Sequence, residues 1–323
     1  MEKKIIAQNI NNVLRETNLS ALGPKRTGKV RDIYDLGDKL ILISTDRHSS
    51  FDRIIAHIPF KGQILTETSR YWFDATKDII PNHVLEYPDP NVLVAKKYKI
   101  VPIEIIPRAY ITGSTNTSLW THYQKGKRDF GNFILPEGLR KNEKLKETVL
   151  TFTTKLEEHD RSLTPKEIVD EGLLTTDILK KVSDTSLALF KRGQEISADR
   201  GFIMVDTKYE FGLDENNNLV LIDEIHTPDS ARWWMLKSYE ERFNNGEEPE
   251  YFDKEFLRLW FKGKCDPYKD KVLPEVPPDM IVELASRYIE IYEKMLGRKF
   301  EANIQEPIEQ RIKNSLKKYE IQR

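Results

Sequence analysis

Several things are scarce in this chain of 323 residues, and each scarcity removes a class of function. There is a single cysteine, Cys265. It cannot form an internal disulfide, and no Cys/His cluster has zinc spacing, so a reducing compartment fits. Apolar runs are short, and none reaches membrane-spanning length. The start, Met1-Glu-Lys-Lys-Ile-Ile6, lacks the long apolar core and small-residue cleavage site of a secretory signal. A cytoplasmic protein with no membrane partner is the expectation, and the Asn116-Thr-Ser118 sequon is then a chance match. Charge of one sign is also lacking: 51 Lys and Arg face 52 Asp and Glu, a net charge of −1. Such a balance does not point to nucleic acid, and any bound anion must be held by local clusters of Lys and Arg.

What is present is an ordinary globular mixture, 39% hydrophobic and 32% charged. The length suits one large domain or two modest ones. Ile5 to Glu16 reads as an amphipathic helix. Val30 to Tyr34 and Lys39 to Ser44 read as a hairpin around Leu36-Gly37-Asp38. Gln63 to Asp78 reads as a helix capped by Thr66 or Thr68, and Val92 to Lys97 and Ile100 to Ile106 as strands. Residues 121 to 150 look polar and irregular. Thr164-Pro-Lys-Glu167 is a helix start, with Thr as N-cap, Pro at the first position and Glu at the third. A long helix follows from Thr176 to Ala198 and ends at Gly201. Phe202 to Gly212 and Leu219 to Ile225 read as a second hairpin. Residues 240 to 278 are rich in Pro, Gly and charge, and a last helix runs from Pro278 to Gly297 before a polar tail. This is an α+β pattern. It divides into a β-rich N-terminal lobe, 1–99, and a mixed C-terminal lobe, 100–323.

The chemistry concentrates between Val205 and Arg232. In a strand from Val205 to Gly212, alternation puts Asp206, Lys208 and Glu210 on one face. If residue 210 pairs with residue 223 on the return strand, Glu210 and Asp223 lie about 5 Å apart at Cβ. Two carboxylates that close repel unless a cation lies between them. Oxygen ligands beside a lysine suit Mg²⁺ with nucleotide phosphates completing its shell. A solvated charged face is the alternative, but Asp223-Glu224 and Asp229-Ser-Ala-Arg232 follow closely.

Three further clusters stand out. Gly23-Pro-Lys-Arg-Thr-Gly28-Lys29 nearly spells a P-loop, but Val30 stands where Ser or Thr is needed, and the loop enters a strand instead of opening a helix. A glycine hairpin that lays Lys29 and Arg31 over phosphates and a basic surface turn both remain open. Ser44-Thr-Asp-Arg-His-Ser-Ser-Phe-Asp52 packs hydroxyls, acids and an arginine into one loop, as ligand loops do and as plain Asx/Ser turns also do. Val101-Pro-Ile-Glu104 leads through Arg108 to Thr112-Gly-Ser114, where guanidinium, hydroxyl and backbone N–H groups could grip a phosphate. Glu104 sits in an apolar strand and needs a partner.

Together these motifs resemble the SAICAR synthetase family. The residues that carry the resemblance are Gly28-Lys-Val-Arg-Asp-Ile-Tyr34, Thr45 to Asp52, Val101-Pro-Ile-Glu104 with Arg108, and Thr112-Gly-Ser114. They continue with Asp206-Thr-Lys-Tyr-Glu-Phe-Gly212 and Asp223-Glu224 through Pro228-Asp-Ser-Ala-Arg232. The length is similar to the longer, yeast-like branch. The resemblance implies a two-lobed α+β fold, with an N-terminal antiparallel β lobe, kinase-like or ATP-grasp-like, over ATP. It implies that ATP activates the carboxylate of an aminoimidazole carboxylate ribotide (CAIR), that L-aspartate's amine attacks, and that SAICAR, ADP and phosphate leave. By the same resemblance Lys29, Arg31 and Lys208 contact ATP phosphates, and adenine lies near Lys97 to Ile100. Glu210 and Asp223 hold Mg²⁺. Arg108, Ser114, Asp229 and Arg232 grip the ribotide beside Glu104, while Ser49, Asp52 and Lys155 line the acceptor and aspartate region. Asp206, Lys208 and Arg232 are the catalytic candidates. The chain departs from the family pattern at His48 and Ser50, and in a short spacing from Lys155 to His159-Asp160. A monomer or homodimer is expected. A kinase-like phosphotransferase lacks its H-R-D, D-F-G and V-A-I-K elements here, and a non-catalytic nucleotide sensor would not need the Glu210/Asp223 pair.

Overall fold

The computed structural model describes residues 1–157 and 161–320. His159 and Asp160, singled out above, lie outside the described residues. The fold is α+β, as expected from sequence, and forms two compact units that interleave along the chain. One comprises Met1–Tyr71, His83–Lys97 and the residues from Phe256 onward. The other comprises Trp72–Asn82 and Tyr98–Glu255. The chain thus leaves the first unit beside the expected division at Lys99, but its last segment returns there, because α-helical residues far along the chain supply that unit's core.

In the first unit, strands β1 (Lys25–Thr27), β2 (Arg31–Asp35) and β3 (Lys39–Ser44) form an antiparallel sheet with β6 (Val84–Asp89) and β7 (Val92–Lys96). The order is β1-β2-β3-β7-β6. Alternation along β3 and β7 sends Ile41, Ile43, Val92 and Val94 to one side, where Leu14, Leu19, Ile312 and Leu316 cover them. Leu42, Leu93 and Ala95 face the other side. Gly37, at φ +93°, turns the β2–β3 hairpin, and Asp35 accepts its N–H. A two-stranded ribbon, β4 (Arg47–Ser50) and β5 (Arg53–His57), follows. Phe51, Ile58 and Ile64 from this region pack with Leu257, Phe261, Leu284 and Tyr288. Helix α1 is only Lys3–Gln8, shorter than the periodicity to Glu16 suggests, because Leu14 and Leu19 are drawn onto the sheet instead. Helix α2 spans Lys61–Thr76. Thr66 and Thr68 are therefore buried inside it and do not cap it, and Thr66 Oγ1 hydrogen-bonds Ser44 Oγ at 2.9 Å.

The second unit is built on β8 (Lys99–Ile100), β9 (Ile103–Ile111), β10 (Glu143–Thr154), β11 (Ser162–Leu163), β12 (Phe202–Thr207), β13 (Glu210–Leu213), β14 (Leu219–Ile222) and β15 (Ala231–Met235). Its main sheet has the order β11-β10-β9-β12-β15, and β14-β13-β8 forms a smaller one. The stretch 121–150 is more ordered than its polarity suggests. Helix α3 (Leu119–Gln124) opens it, and Tyr123, Phe130, Leu135 and Leu145 form a cluster with Ile111. Helix α4 (Pro165–Asp170) has the full capping box of Thr164 and Glu167. Helix α5 (Thr176–Asp199) buries Leu179, Val182, Leu189, Phe190 and Gly193. Gly193 is required: a Cβ there would lie 2.6 Å from Met204 and 2.7 Å from His226. The stretch 240–278 holds the end of α6 (Leu236–Asn244) and α7 (Glu255–Lys262). Helix α8 (Pro278–Leu296) ends at Gly297, at φ +67°, as a left-handed glycine stop requires. The tail adds α9 (Ile308–Ser315).

Candidate active site

The expected strand from Phe202 to Gly212 is two strands. β12 pairs with β9 and β15, whereas β13 pairs with β14 and β8, and the chain passes from one sheet to the other at Lys208. Asp206, Lys208 and Glu210 therefore do not form one strand face. They enter two separate clusters of charge.

The first cluster lies around Glu104 on β9 and Glu210 at the start of β13. Lys208 Nζ donates to Glu104 Oε1 at 2.7 Å and to Glu210 Oε1 at 2.9 Å. Lys155 Nζ donates to the same two oxygens at 3.3 and 2.5 Å. Thr153, opposite Glu104 in the β9–β10 ladder, donates its hydroxyl to Glu104 Oε2 at 3.2 Å. Burial would raise the Glu210 carboxyl, but the ammoniums of Lys208 and Lys155 outweigh it and hold the group well below the usual carboxylate range. Burial would likewise lower the two ammoniums. The charges of Glu210, Glu104 and Asp223 overcome it and hold both above their ordinary value.

The register differs from the one considered above. Glu210 pairs with Ile222, and Asp223 lies one residue past the ladder at φ +72°. The strand pairing stops because the backbone turns into the left-handed region there. Asp223 is thus not opposite Glu210, although its charge acts on Lys208 and Lys155.

The second cluster is a row across three adjacent strands. Asp206 on β12 is paired with Arg108 on β9 and with Arg232 on β15. Asp206 Oδ2 accepts from Arg108 Nη1 at 3.0 Å and from Arg232 Nη1 at 2.6 Å. Arg108 Nε also reaches Thr151 Oγ1 at 2.9 Å, and Arg232 Nε lies 3.4 Å from Glu255 Oε2. Burial lowers the Arg108 guanidinium despite Asp206. For Arg232 burial is overcome by Asp206, Glu255 and Asp253, and the group is raised. Gly113 abuts the Arg232 guanidinium, at 2.7 Å from where a Cβ would stand, and the buried Ser114 hydroxyl has no hydrogen-bond partner among the described residues. Asp229 forms a buried ion pair with Lys254 at 3.0 Å. Glu104 and Arg108 are four residues apart on β9 and so face the same side. A cavity of about 140 Å³ opens beside Arg108, Thr151 and Thr153, with His122 and Lys127 also lining it.

In the first unit, Lys29 forms an exposed ion pair with Asp52. Arg31 is paired with Ser44 in the β2–β3 ladder. Ser49 is buried in β4. Lys97 is paired with Asp35 at 2.6 Å, half exposed. Gly28 lies in the β1–β2 hairpin turn, its N–H on Arg31 O at 2.7 Å, so this is a hairpin and not a P-loop. Sequence reading passed over Glu255, Asp253 and Lys254. Their signal was three charges inside the aromatic run Tyr251-Phe-Asp-Lys-Glu-Phe256. Arg47, counted as the arginine of the Ser44–Asp52 loop but given no role, is buried.

Two lysines between two carboxylates, next to two arginines on a third, form a face for highly charged small molecules. The comparisons give that class a definite form. A family model described as SAICAR synthetase matches residues 25–275. The phosphoribosylaminoimidazole-succinocarboxamide synthase of Legionella pneumophila (strain Paris) is 56% identical over 287 residues, covering 89% of this chain and 92% of the relative. A chloroplastic synthase of the same description from Vigna aconitifolia is 54% identical, covering 84% and 81%. The SAICAR synthase of Saccharomyces cerevisiae, solved in complex with SAICAR, superposes with a TM-score of 0.76 at 30% identity, covering 90% of this chain and all of that one. A SAICAR synthetase solved in complex with ADP superposes at 0.66 and 26% identity, covering 86% of this chain and 100% of that one. The chain belongs to the SAICAR synthetase family: it is a ligase that uses ATP to join L-aspartate to the carboxylate of CAIR, giving SAICAR in purine biosynthesis.

Proposed function

We propose that the two clusters divide the work of this ligation. Lys208, with Glu210 and Asp223, serves the nucleotide, and Arg108, Ser114, Asp229 and Arg232 serve the ribotide. The observation that carries this reading is the contrast in cation type and placement. Two lysines each bridge Glu104 and Glu210, whereas two arginines set on β9 and β15 by the ladder share one oxygen of Asp206.

Mg²⁺ fits the first cluster. Two ammoniums already crowd one oxygen of Glu210, which marks it as a position for positive charge. Among the described residues no three His, Cys, Asp or Glu side chains form a closed cage. A hard cation held by one or two carboxylates and completed by phosphate oxygens needs none. Glu210 and Asp223 would hold it, and it would supply charge neutralisation on the transferring phosphoryl group. Lys208 would then move from Glu210 toward the phosphates.

Transfer of the γ-phosphoryl group to the CAIR carboxylate needs positioning and cations more than covalent help. The aspartate amine then displaces phosphate from the activated carbonyl. Arg232 and Asp206 orient the ribotide for both steps. Glu104 anchors Lys155 and Lys208, and Lys155 faces the acceptor region. In the first unit, Lys29 and Arg31 are assigned to ATP phosphates, Lys97 to the adenine side, and Ser49 and Asp52 to the acceptor and aspartate. A cytoplasmic setting is part of the proposal and rests on the single, half-buried Cys265. No described helix is long and apolar enough to cross a membrane.

The test is ADP release with each substrate omitted in turn. Release that requires both CAIR and L-aspartate supports the proposal, and release indifferent to aspartate refutes it.

A further inference from the structure

All three backbone carbonyls in the turn between β1 and β2 are accounted for by one other loop. Arg47 Nη2 donates to Gly28 O at 3.0 Å and Arg47 Nε to Lys29 O at 3.4 Å. Thr45 donates to Val30 O twice, from its N–H at 3.0 Å and from its hydroxyl at 2.5 Å. Arg47 Nη1 continues to Arg15 O at 2.7 Å, and Nη2 also meets Asp32 Oδ1 at 2.8 Å. Asp32 is fully buried and is fixed in turn by Thr17, whose N–H and hydroxyl both reach Oδ2. From the other side, Lys61 Nζ donates to Arg47 O at 2.9 Å. Asp46, between Thr45 and Arg47, accepts from Leu14 N and Gly62 N. A Cβ at position 62 would meet Ser44 O at 2.3 Å, so only glycine lets α2 close on this loop.

A guanidinium suits this task because its planar fork reaches several carbonyls at once from one fixed position. The result is a rigid block whose two ends carry Lys29 and Asp52. Those two side chains also pair with each other.

We infer that Arg47 is a positioning residue that couples the Gly28–Arg31 turn to the Thr45–Asp52 loop, so that nucleotide binding and acceptor binding support one another. This rests on the assignment of Lys29 to ATP phosphates and of Asp52 to the aspartate region. Phosphates that draw Lys29 away from Asp52 leave the Asp52 carboxylate available to the incoming amine. The block beneath keeps both loops in register while that exchange occurs. Affinity gained at one loop is then felt at the other, as coupling between sites requires.

The test is steady-state kinetics of Arg47→Lys beside the unaltered chain, with melting temperature recorded for both. Lysine keeps a positive charge opposite Asp32 but cannot span the carbonyls of Arg15, Gly28 and Lys29 together. The expected result is a rise of about fivefold or more in KM for ATP and for L-aspartate together. The value of kcat at saturation should stay within about twofold, because bound substrates reimpose the loop positions. A rise in only one KM, or a lower melting temperature with neither KM changed, overturns the inference. Thr45→Val, which deletes one hydroxyl bond to Val30 O, is the second variant should Arg47→Lys not fold. It should move both KM values the same way by a smaller factor, and no movement overturns the inference. Lys29→Ala and Asp52→Asn separate the two layers. If they leave the KM values for ATP and L-aspartate unchanged, the underlying assignment fails. If they shift them while Arg47→Lys does not, only the coupling fails.

Discussion

The lysine cluster and the arginine row occupy one side of the same strand, β9, yet they are built on different principles. Around Glu104 and Glu210 the cations are lysines, compact charges on flexible stems that can change partner. Around Asp206 they are arginines, planar forks held in a cross-strand row by the ladder itself. An ammonium that can leave a carboxylate suits a site where a metal ion and a shifting phosphoryl group must enter and depart. A guanidinium fixed by backbone register suits a phosphate monoester that must stay in place during turnover. On the proposed assignment, β9 borders both a rearrangeable site and a rigid one, a few residues apart.

Removing Glu210 tests the rearrangeable half most severely. Glu210→Ala leaves Lys155 and Lys208 with Glu104 as their one shared carboxylate and deletes a proposed metal ligand. Turnover should fall by about 100-fold or more, read as ADP release, with the fold retained in a melting experiment. Near-normal ADP release would remove Glu210 from the nucleotide site. The rigid half is tested by Arg232→Ala. Truncating one partner of a buried, hydrogen-bonded charge pair costs about 2–5 kcal/mol, so kcat/KM for CAIR should drop by at least about 30-fold while KM for ATP moves little. Arg108→Lys, which keeps charge but loses the fork, should cost less, about tenfold on the same parameter. Equal losses for Arg108→Lys and a plain Arg108→Ala would show that fork geometry is irrelevant there.

The smallest effect concerns acid. Glu210 is held well below the usual carboxylate range by its lysines, so its stabilising effect is complete above the ordinary carboxylate value and is lost only in stronger acid. His226 acts at higher pH. It is fully buried, hydrogen-bonded to the Tyr209 hydroxyl and packed edge-on to Trp72, and burial lowers it to about 3. The unfolded chain, with histidine near its ordinary value, binds a proton that the folded chain refuses. Its stabilising effect is therefore complete above about pH 6.5 and is lost as pH falls toward 3, at up to about 1.4 kcal/mol per pH unit. The melting temperature should decline from about pH 6.5 downward, and His226→Asn should flatten that decline. An unchanged slope would assign the decline to other groups.

How much of this was legible depended on sequence distance. The Thr164–Glu167 capping box, the β2–β3 hairpin and the Gly297 stop were readable because the groups that fix them are a few residues apart. The charge-bearing residues of both clusters were also readable as residue types. Their grouping was not. Whether Asp206 joins Lys208 or Arg108 is decided by β9 and β15, strands that local alternation cannot see. The 210–222 register follows from the left-handed turn at Asp223, which nothing in Leu219-Val-Leu-Ile-Asp223 announces. Arg47 looked like one polar residue among several, because its partners Arg15, Gly28 and Asp32 come from elsewhere in the chain. Resemblance to the family supplied the reaction, and the geometry supplied the division into two clusters.

Whether the two clusters serve different substrates is decided by comparing KM values across substrates. Lys208→Ala and Arg232→Lys should be assayed with ATP and CAIR each varied at saturating L-aspartate. The lysine variant should raise KM for ATP with little change for CAIR, and the arginine variant should do the reverse. If both variants raise KM for the same substrate, the two clusters are one site and their division of labour is refuted.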